Sequence, residues 1–229
     1  MTIYRLPKEP VFPDPSEAEP DGLLAVGGDL SPERLITAYA MGIFPWYSDD
    51  EPIMWWSPDP RCVLNLDELH VPKRLARVVR SGKYKITVDR AFAEVMEHCA
   101  DAARPEQDGT WIVDDMLDAY VHLHRLGIAH SVEAWLDGYL VGGLYGIALG
   151  SLFYGESMFY LEPDASKVAF VTFAQALKKH GFTHVDCQQT TDHLVRFGAR
   201  EMPRDAFLKI VDKAVSDEHT AGVWDWELS

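Results

Sequence analysis

Three polar residues occur in apolar segments that should form buried strands, and together they could make a polar ligand site. Asp186 and Gln188 are two residues apart, so an extended strand places both side chains on one face of a sheet. Glu156 lies at the end of an earlier apolar segment. If the two strands are neighbours, Glu156 should lie close to Asp186 and Gln188. Ligand sites are favoured at the carboxyl ends of parallel strands. A structural role for each residue alone remains open, provided that its buried charge has a partner.

A basic segment predicts a second site, for phosphate. Residues 71–85 contain six bases and no acid, although the 229-residue chain has 36 acids, 21 bases and a formal charge of −15. Helical spacing puts Lys73, Arg77 and Arg80 on one face. The six bases are Lys73, Arg74, Arg77, Arg80, Lys83 and Lys85. We interpret them as a ridge that binds a nucleic-acid backbone without reading its sequence. A solvated face paired with acids from elsewhere is the alternative.

Four tryptophans could add an aromatic surface to such a site. They occur in segments where glycines and prolines keep side chains near loops, at Trp46, Trp55, Trp56 and Trp111. Core packing explains any one of them alone. As a group near the basic ridge, they could stack on an unpaired base, which contributes about 1–3 kcal/mol per base.

Histidines and acids near the C-terminus raise the question of a metal site. Gly181 ends the helix that contains His180, so His180 and His184 do not share a helix face. The other candidate ligands are His193, Asp186 and Asp192. We therefore expect no metal. Nucleophilic catalysis has little support, because the chain has no G-x-S-x-G elbow and Cys187 should face away from Asp186 and pack in the core.

The composition is that of a globular protein from a reducing compartment. Apolar residues make up 47% and charged residues 25% of the chain, which excludes disorder and collagen-like repeats. The three cysteines form no CxxC pair. The opening sequence MTIYRLPKEP lacks the apolar run of a signal peptide. We therefore expect a cytoplasmic protein with one large domain, or with a small domain and a medium one.

One uncharged stretch, residues 138–155, has two interpretations. Three of its glycines have the GxxxG spacing of membrane helices that dimerise. However, the stretch contains six glycines and is at the short limit of a membrane span. Asp137-Gly138 before it is a strong hairpin signal, and Leu149-Gly150 within it predicts a second reversal. We therefore expect two strands of a hairpin and no membrane contact.

Periodicity predicts the elements that position these residues. In the first 60 residues or so we expect a compact lobe of loops, with aromatic side chains partly facing a cleft. Its single helix should begin at Ser31-Pro32 and end near Met41. Asp89 should cap a helix whose apolar face runs from Phe92 to Cys99. Other helices are expected at about 72–80, 113–126, 164–180, 191–197 and 203–216, and strands at 129–136, 139–148, 151–159 and 183–188.

Several segments in succession resemble the leucyl/phenylalanyl-tRNA–protein transferases. The resemblance covers most of residues 20–203 in order, and it is specific because FPW, WWSPDPR, GESMF and DCQ occur in that succession. The matching segments are DGLLAVGGDLSP (21–32), GIFPWY (42–47), WWSPDPR (55–61), GTWI (109–112), GGLYG (142–146), GESMF (155–159), ASK (165–167) and DCQ (186–188).

This resemblance implies a fold and an activity. The fold would be α/β, with a small N-terminal domain (1–62) before a GNAT-like domain (63–229) of mixed sheet flanked by helices. The activity would be transfer of leucine, phenylalanine or methionine from aminoacyl-tRNA to the N-terminal Lys or Arg of acceptor proteins. A peptide bond is formed, and the acceptor enters the bacterial N-degron pathway of degradation. The resemblance implies no cofactor.

The resemblance also implies roles for individual residues. Asp186 and Gln188 match the proposed catalytic pair, and Glu156 matches its polar partner. Trp46 and Trp111 match residues near the terminal adenosine. The apolar pocket for the transferred side chain would be lined by Leu144, Phe153, Phe173 and Val185. The basic ridge would bind tRNA through Lys73, Arg74, Arg77, Arg80 and Lys83. Two positions depart from the family pattern: Thr191 replaces an Asn, and Leu144 replaces a Met of similar volume and polarity.

The chemistry is consistent with a site that needs no external energy source. Aminoacyl-tRNA is an activated ester, so attack by an amine runs downhill without ATP, metal or coenzyme A. The α-amino group has a pKa of about 7.7–8.0, which leaves a useful neutral fraction at pH 7. Gln188 would position the amine or the carbonyl, while Asp186 would orient Gln188 or relay a proton. The sequence leaves open which carboxylate moves the proton.

Two other functions compete with this one. A coenzyme A acetyltransferase of the same fold would need R/Q-x-x-G-x-G/A at a strand-to-helix junction. The nearest match, HRLGIA at 124–129, has His124 where the motif needs Arg or Gln, and it follows a helix end. A non-catalytic module that binds tRNA or degrons would keep the basic ridge but has no use for Asp186 and Gln188 on one strand face.

Overall fold

The computed structural model describes residues 3–102, 112–217, 222, 224–226 and 228. These residues form two sheets, with helices on both faces of the larger one. The expected α/β class, with a mixed sheet flanked by helices, is confirmed. The helices are α1 (Pro32–Ala40), α2 (Lys73–Arg80), α3 (Phe92–Asp101), α4 (Asp114–Arg125), α5 (Ala165–Lys179), α6 (Asp192–Arg196) and α7 (Arg204–Val215).

The N-terminal region is more regular than the sequence predicted. Helix α1 begins after Ser31, as expected, but four strands also form a small sheet in the order β1-β2-β4-β3. These strands are β1 (Tyr4–Arg5), β2 (Leu23–Val26), β3 (Phe44–Pro45) and β4 (Met54–Trp56). Strands this short show no readable alternation of apolar and polar residues. The expectation of a lobe of loops was therefore wrong for this sheet.

The second sheet has seven strands in the order β11-β5-β10-β9-β8-β7-β6. They are β5 (Arg61–Asn65), β6 (Lys85–Val88), β7 (Ala129–Leu136), β8 (Tyr139–Leu149), β9 (Leu152–Tyr160), β10 (His184–Gln188) and β11 (Arg200–Met202). Among the described strands of this sheet, β9 and β10 are the one parallel pair, and α5 connects them. The four strands predicted from alternation, β7 to β10, are confirmed. Strands β5, β6 and β11 were not predicted.

The uncharged stretch forms the expected hairpin, because β8 and β9 pair antiparallel on either side of a turn that contains Gly150 (φ 54°). The hairpin turn before β8 forms as well: Asp137 and Gly138 have φ values of 52° and 84°, the left-handed conformation of a two-residue turn. Strands β7 and β8 pair antiparallel on either side of this turn. Within the described part of the chain, every helix is too short or too polar to cross a membrane.

Asp89 does not cap α3, contrary to the sequence expectation. Its backbone has a φ of 56°, and its carboxylate accepts from the backbone N–H groups of Ser131 (3.0 Å) and Trp224 (2.9 Å). The buried Glu133 replaces it near the start of the helix, because its Oε1 accepts from the backbone N–H of Ala91 at 3.3 Å. Asp89 thus ties the chain's last residues to β7.

Two apolar clusters lie on opposite faces of the large sheet. The first contains residues of the small sheet together with α1, α3, α4 and α7. The second contains α2 and α5. Side chains alternate along the strands between the two clusters, so Tyr154 belongs to the first and Phe153 to the second. The first cluster contains residues of both sheets. The domain boundary predicted after residue 62 falls inside β5, so the division into two domains stays a prediction.

Candidate active site

Asp186, in β10, forms a buried ion pair. Its two carboxylate oxygens accept from Nε (2.9 Å) and Nη2 (2.6 Å) of Arg61, and both side chains are inaccessible to solvent. The Arg61 guanidinium lies between the rings of Phe44 (4.8 Å) and Phe207 (4.6 Å). This pairing compensates the desolvation of both charges. Since Phe44 is in β3 and Phe207 in α7, the pair also holds the small sheet against the large one.

Glu156 and Gln188 meet where two strands separate. The parallel pairing of β9 and β10 ends at Tyr154 and Asp186, after which the strands part. A bulge interrupts the β8–β9 register at Glu156, and another interrupts the β10–β5 register between Asp186 and Gln188. Gln188 has a φ of 59°, a left-handed conformation that is strained for residues other than glycine. These irregularities let Nε2 of Gln188 donate to Oε1 of Glu156 at 2.8 Å.

Asp186 and Gln188 are joined through the backbone rather than through their side chains. The backbone N–H of Gln188 donates to Oδ1 of Asp186 at 2.9 Å. With both oxygens already held by Arg61, Asp186 fixes the strained turn that presents Gln188. The prediction that Glu156, Asp186 and Gln188 lie together therefore agrees with this geometry.

Tyrosines on the same face complete the polar cluster. The Tyr39 hydroxyl donates to Oε1 of Glu156 at 2.7 Å and is also hydrogen-bonded to the Tyr120 hydroxyl. Tyr154 donates to the backbone carbonyl of Tyr39 at 2.7 Å, which fixes the end of α1 against β9. Burial raises the pKa of Tyr39 and of Tyr120 well above the ordinary value, so both remain neutral donors at physiological pH.

Burial raises the pKa of Glu156 far above the usual value of a carboxyl group. Desolvation, together with the nearby charge of Asp186, raises the pKa of Glu156 to about 8, although the hydrogen bonds from Tyr39 and Gln188 lower it. Both of those bonds go to Oε1. The other oxygen, Oε2, is buried and has no hydrogen-bond partner among the described residues. Glu156 thus presents an oxygen that can take up or release a proton near neutral pH.

The residues expected to line the apolar pocket lie together behind this cluster. They all belong to the second apolar cluster, and each is buried: Leu144, Phe153, Phe173 and Val185. Phe153 and Val185 are direct partners across β9 and β10, one residue before the strands separate. The ring of Phe173 meets that of Phe153 edge-on at 4.9 Å. An apolar region therefore adjoins the opening between the strands.

The tryptophans divide into core and surface residues. Trp55 is fully buried, and its indole N–H donates to the carbonyl of Gly27. Trp46 and Trp56 are partly exposed and pack edge-on at 5.6 Å. All three pack with the first cluster, whereas the basic helix packs with the second, so they do not lie in the same layer as the ridge. Trp111 lies outside the described residues.

The basic ridge is an exposed face of α2. Its charged side chains are exposed, and Leu75 on the opposite side is buried against the second cluster. A shallow groove of about 400 Å³ runs along it, lined by Val71, Lys73, Ala76, Arg77 and Arg80. In the part of the chain that the structure describes, Lys83 is the one base of the ridge with an ion pair, to Glu162 at 3.5 Å. The alternative of a face neutralised by acids from elsewhere is therefore not favoured.

The histidines do not come together. His180 stacks on Trp226, His184 contacts Thr183 and His193 packs against Phe197. Across the described ranges, no three His, Cys, Asp or Glu side chains are grouped in a way that could hold a metal ion.

Cys187 faces away from Asp186, as the sequence predicted. It packs with the second apolar cluster, where the Cys62 thiol and burial raise the pKa of the Cys187 thiol well above its usual value. A thiol that stays protonated is a poor nucleophile.

Sequence reasoning missed three residues that position the site. Arg61 appeared only as the last residue of WWSPDPR, and Tyr39 and Tyr120 were not singled out at all. A signal existed for the need of such a residue, since a buried Asp186 requires a cation, although no pattern singles out Arg61. No local pattern distinguishes a tyrosine that hydrogen-bonds a buried carboxylate from one that only packs.

Comparisons with known proteins give a consistent result. The family model described as leucyl/phenylalanyl-tRNA protein transferase matches residues 63–212, and the model of its N-terminal domain matches residues 28–59. A relative from Anaeromyxobacter sp. (strain Fw109-5) is 61% identical over 98% of this chain and 96% of its own length. One from Maridesulfovibrio salexigens is 57% identical over 99% and 95%. Both are named leucyl/phenylalanyl-tRNA–protein transferase.

Solved structures are only distantly similar. FemX matches with a TM-score of 0.47 and 14% identity over 79% of this chain and 71% of its own. A GCN5-related N-acetyltransferase from Kribbella flavida matches with a TM-score of 0.36 and 14% identity over 76% and 61%. Similarities this weak support no conclusion about ligand or activity.

Proposed function

The chain belongs to the leucyl/phenylalanyl-tRNA–protein transferase family, an enzyme family of aminoacyl transfer from tRNA to proteins, and we propose that it moves leucine or phenylalanine to acceptors with N-terminal Lys or Arg. Methionine, whose flexible side chain adapts to apolar pockets, is a further donor residue. The observation that carries this proposal is the Glu156–Gln188 pair, held by Asp186 at the opening between β9 and β10.

The proposed reaction is attack of an α-amine on an ester. The acceptor's nitrogen bonds to the ester carbonyl carbon of the aminoacyl-tRNA, the bond from that carbon to the ribose oxygen breaks, and an amide remains. One proton leaves the nitrogen and one reaches the departing ribose oxygen. Protein groups are needed mainly to align the reactants and to carry this proton.

Glu156 is the proposed carrier of the proton. Its pKa of about 8 lies close to the α-amino value of about 7.7–8.0, so a proton passes between them with almost no free-energy difference. Oε2, unpartnered among the described residues, is the oxygen proposed to accept it. Asp186 is less suited to this role, because Arg61 holds both of its oxygens.

Gln188 is proposed to position the amine. Its Nε2 is turned toward Glu156, so its amide oxygen can accept a hydrogen bond from the attacking amino group beside Oε2 of Glu156. Asp186 acts through Gln188 as a positioning residue, because it holds the Gln188 backbone in its strained conformation.

The buried residues beside this opening are proposed to bind the transferred side chain. They are Leu144, Phe153, Phe173 and Val185. Burying one Leu or Phe side chain contributes about 1.5–3 kcal/mol, which favours large apolar residues over small ones. Such a pocket separates residues of similar size poorly, which fits a donor range of leucine and phenylalanine.

Charge supports the two proposed partners. The formal charge of −15 attracts acceptors that begin with Lys or Arg, while the exposed bases of α2 provide local contacts for the tRNA backbone. Those contacts involve Lys73, Arg74, Arg77, Arg80 and Lys83. Trp46 and Trp111 are proposed to contact the terminal adenosine. No cofactor is proposed, because the ester already supplies the driving force.

This activity would place the protein in the cytoplasm, where aminoacyl-tRNA is made, as the modifying enzyme of an N-degron pathway. The rival coenzyme A site is not supported by the geometry. Residues 124–129 run from the end of α4 into β7, which is a helix-to-strand junction rather than the required strand-to-helix junction.

The test offers labelled Phe-tRNA or Leu-tRNA with three peptides that differ only in their first residue, Lys, Arg or Ala. We expect label on the Lys and Arg peptides and little on the Ala peptide. Equal labelling of all three would refute the acceptor specificity. Labelling of none, with tRNA binding intact, would indicate a module that binds RNA without catalysis.

A further inference from the structure

An apolar corner of the large sheet is exposed beside the basic ridge. Among the described residues, eight large apolar side chains are exposed, and three of them lie at this corner: Tyr139 (75% exposed), Tyr160 (68%) and Leu161 (61%). Exposed aromatic side chains grouped in this way are unusual on a soluble surface and mark interaction sites.

Strand register brings these residues together. Tyr160 pairs with Gly142 at the end of β9, and the backbone N–H of Leu161 donates to the carbonyl of Val141 at 2.8 Å. Tyr139 is two residues before Val141, so both side chains lie on the same side of β8. By the same alternation Tyr160 lies on the side of Met158. Val141 and Met158 both pack with the second cluster, so both tyrosines are on the face that carries α2 and α5.

This corner, defined by Tyr139, Tyr160 and Leu161, continues the basic ridge. The loop that follows α2 contacts the segment that follows β9 in two places. Lys83 forms its ion pair with Glu162, and the Tyr84 hydroxyl donates to the carbonyl of Pro163 at 2.7 Å. The exposed bases of α2 therefore lead through Lys83 directly to the apolar corner.

Charge at the corner is compatible with a polyanion. Three acids lie near the tyrosines, but two are neutralised: Glu162 by Lys83 and Asp164 by Lys167 at 2.9 Å. Asp137 at the hairpin turn is the third. A surface that combines exposed rings with neighbouring cations suits single-stranded RNA, because every base can stack on an aromatic ring.

We infer that Tyr139 and Tyr160 form a stacking subsite for unpaired nucleotides of the aminoacyl-tRNA, beyond the acylated terminal nucleotide. This inference rests on the proposed function for the identity of the RNA. Glu156 and Tyr160 are four residues apart on β9, which separates their backbones by roughly 13 Å, and their side chains lie on opposite faces of the sheet. At about 3.4 Å per stacked nucleotide, a strand of about four nucleotides covers the backbone separation, and passing from one face to the other requires additional length.

The experiment compares a whole substrate with its reacting end. The double variant Tyr139→Ser/Tyr160→Ser is assayed with Phe-tRNA and with phenylalanyl-adenosine, which lacks the rest of the RNA. Tyr139→Phe/Tyr160→Phe keeps both rings, and Val195→Ser removes an exposed apolar side chain elsewhere, 49% exposed in the wild type. Binding of uncharged tRNA is measured by fluorescence anisotropy, which needs no transfer.

We expect the serine variant to bind tRNA about tenfold more weakly for each ring lost, and to show the same rise in KM for Phe-tRNA. Its kcat, and its KM for phenylalanyl-adenosine, should stay at wild-type values. The phenylalanine variant and Val195→Ser should bind tRNA like the wild type. The slope of log Kd against log salt should not change, because no cation is removed.

Three results would overturn the inference. Unchanged tRNA affinity in the serine variant would show that the rings do not contact RNA. An equal rise in KM for phenylalanyl-adenosine would place the effect at the reacting centre. A rise in KM confined to the acceptor protein would show that the corner binds protein rather than RNA. If the wild type transfers nothing, the proposed function fails, yet the anisotropy measurement still decides whether these rings bind RNA.

Discussion

Replacing Glu156 by Gln tests both the buried carboxyl group and its role in proton transfer. Gln has nearly the same shape and keeps an oxygen that accepts the bonds from Tyr39 and Gln188. It removes the ionisation and replaces Oε2, the proposed proton acceptor, by an amide NH2 group. The folded state raises the pKa of Glu156 from 4.5 to about 8, so the folded protein holds this proton more tightly than the unfolded chain does.

The sign of the pH dependence follows from that shift. The stability that protonated Glu156 contributes is fully present below pH 4.5, decreases as pH rises from there, and is fully lost once pH has risen through about 8, because the unfolded chain ionises first. With about 1.4 kcal/mol per pH unit, the loss has an upper limit of roughly 3 kcal/mol at pH 7 and roughly 5 kcal/mol at pH 9. The Gln variant lacks this term, so its stability relative to wild type should increase with pH.

Two assays check this prediction. Urea unfolding of both proteins at pH 5, 7 and 9 measures the stability difference. Single-turnover transfer from bound Phe-tRNA measures the rate, which should fall about 10²- to 10⁴-fold in the variant and no longer rise toward pH 8. Glu133→Gln, a buried glutamate bonded to Thr87 and Ser131 outside the site, serves as the matched control and should keep wild-type turnover. A stability difference between the two proteins that does not change with pH would refute the reasoning. Wild-type turnover in Glu156→Gln would also refute it.

Three further substitutions have definite expected outcomes. Asp186→Asn leaves the buried charge of Arg61 without a counter-charge, so the free energy of unfolding should fall by about 3–5 kcal/mol. Turnover should fall more than tRNA affinity. A variant as stable as the wild type in urea unfolding would contradict the stabilising role of the ion pair. Tyr39→Phe removes a hydrogen bond that lowers the pKa of Glu156, so the pH–rate profile should shift to higher pH, and an unshifted profile would contradict it. Arg80→Ala should weaken tRNA binding and reduce the slope of log Kd against log salt by about 1, whereas an unchanged slope would return Arg80 to an ordinary surface role.

The sequence predicted the long, regular elements because their periodicity is local. Strands β7, β8 and β9 have enough residues to show alternation or hairpin signals, and the apolar face of α3 repeats at helical spacing. The proximity of Glu156 to Gln188 also followed from sequence, through the strand–helix–strand order that makes β9 and β10 neighbours.

The remaining features depend on contacts that are distant in sequence. Arg61 and Asp186 are 125 residues apart, and no local pattern pairs them. The bulge before Gln188 and the φ of 59° at Gln188 occur in a segment without glycine, so no residue type there predicts them. Asp89 has the residue type of a helix cap, yet its carboxylate is used by β7 and by the C-terminal segment, because tertiary partners outcompete a local bond.

The most direct test of the central claim is the mass of the product. Wild-type protein, Phe-tRNA and a peptide beginning with Arg are mixed without ATP or coenzyme A, and the peptide is sequenced by mass spectrometry. The account predicts a peptide longer by one phenylalanine, attached through the α-amino group, and little product when Gln188→Ala replaces the wild type. Phenylalanine on a side chain, or full product from the variant, would contradict it.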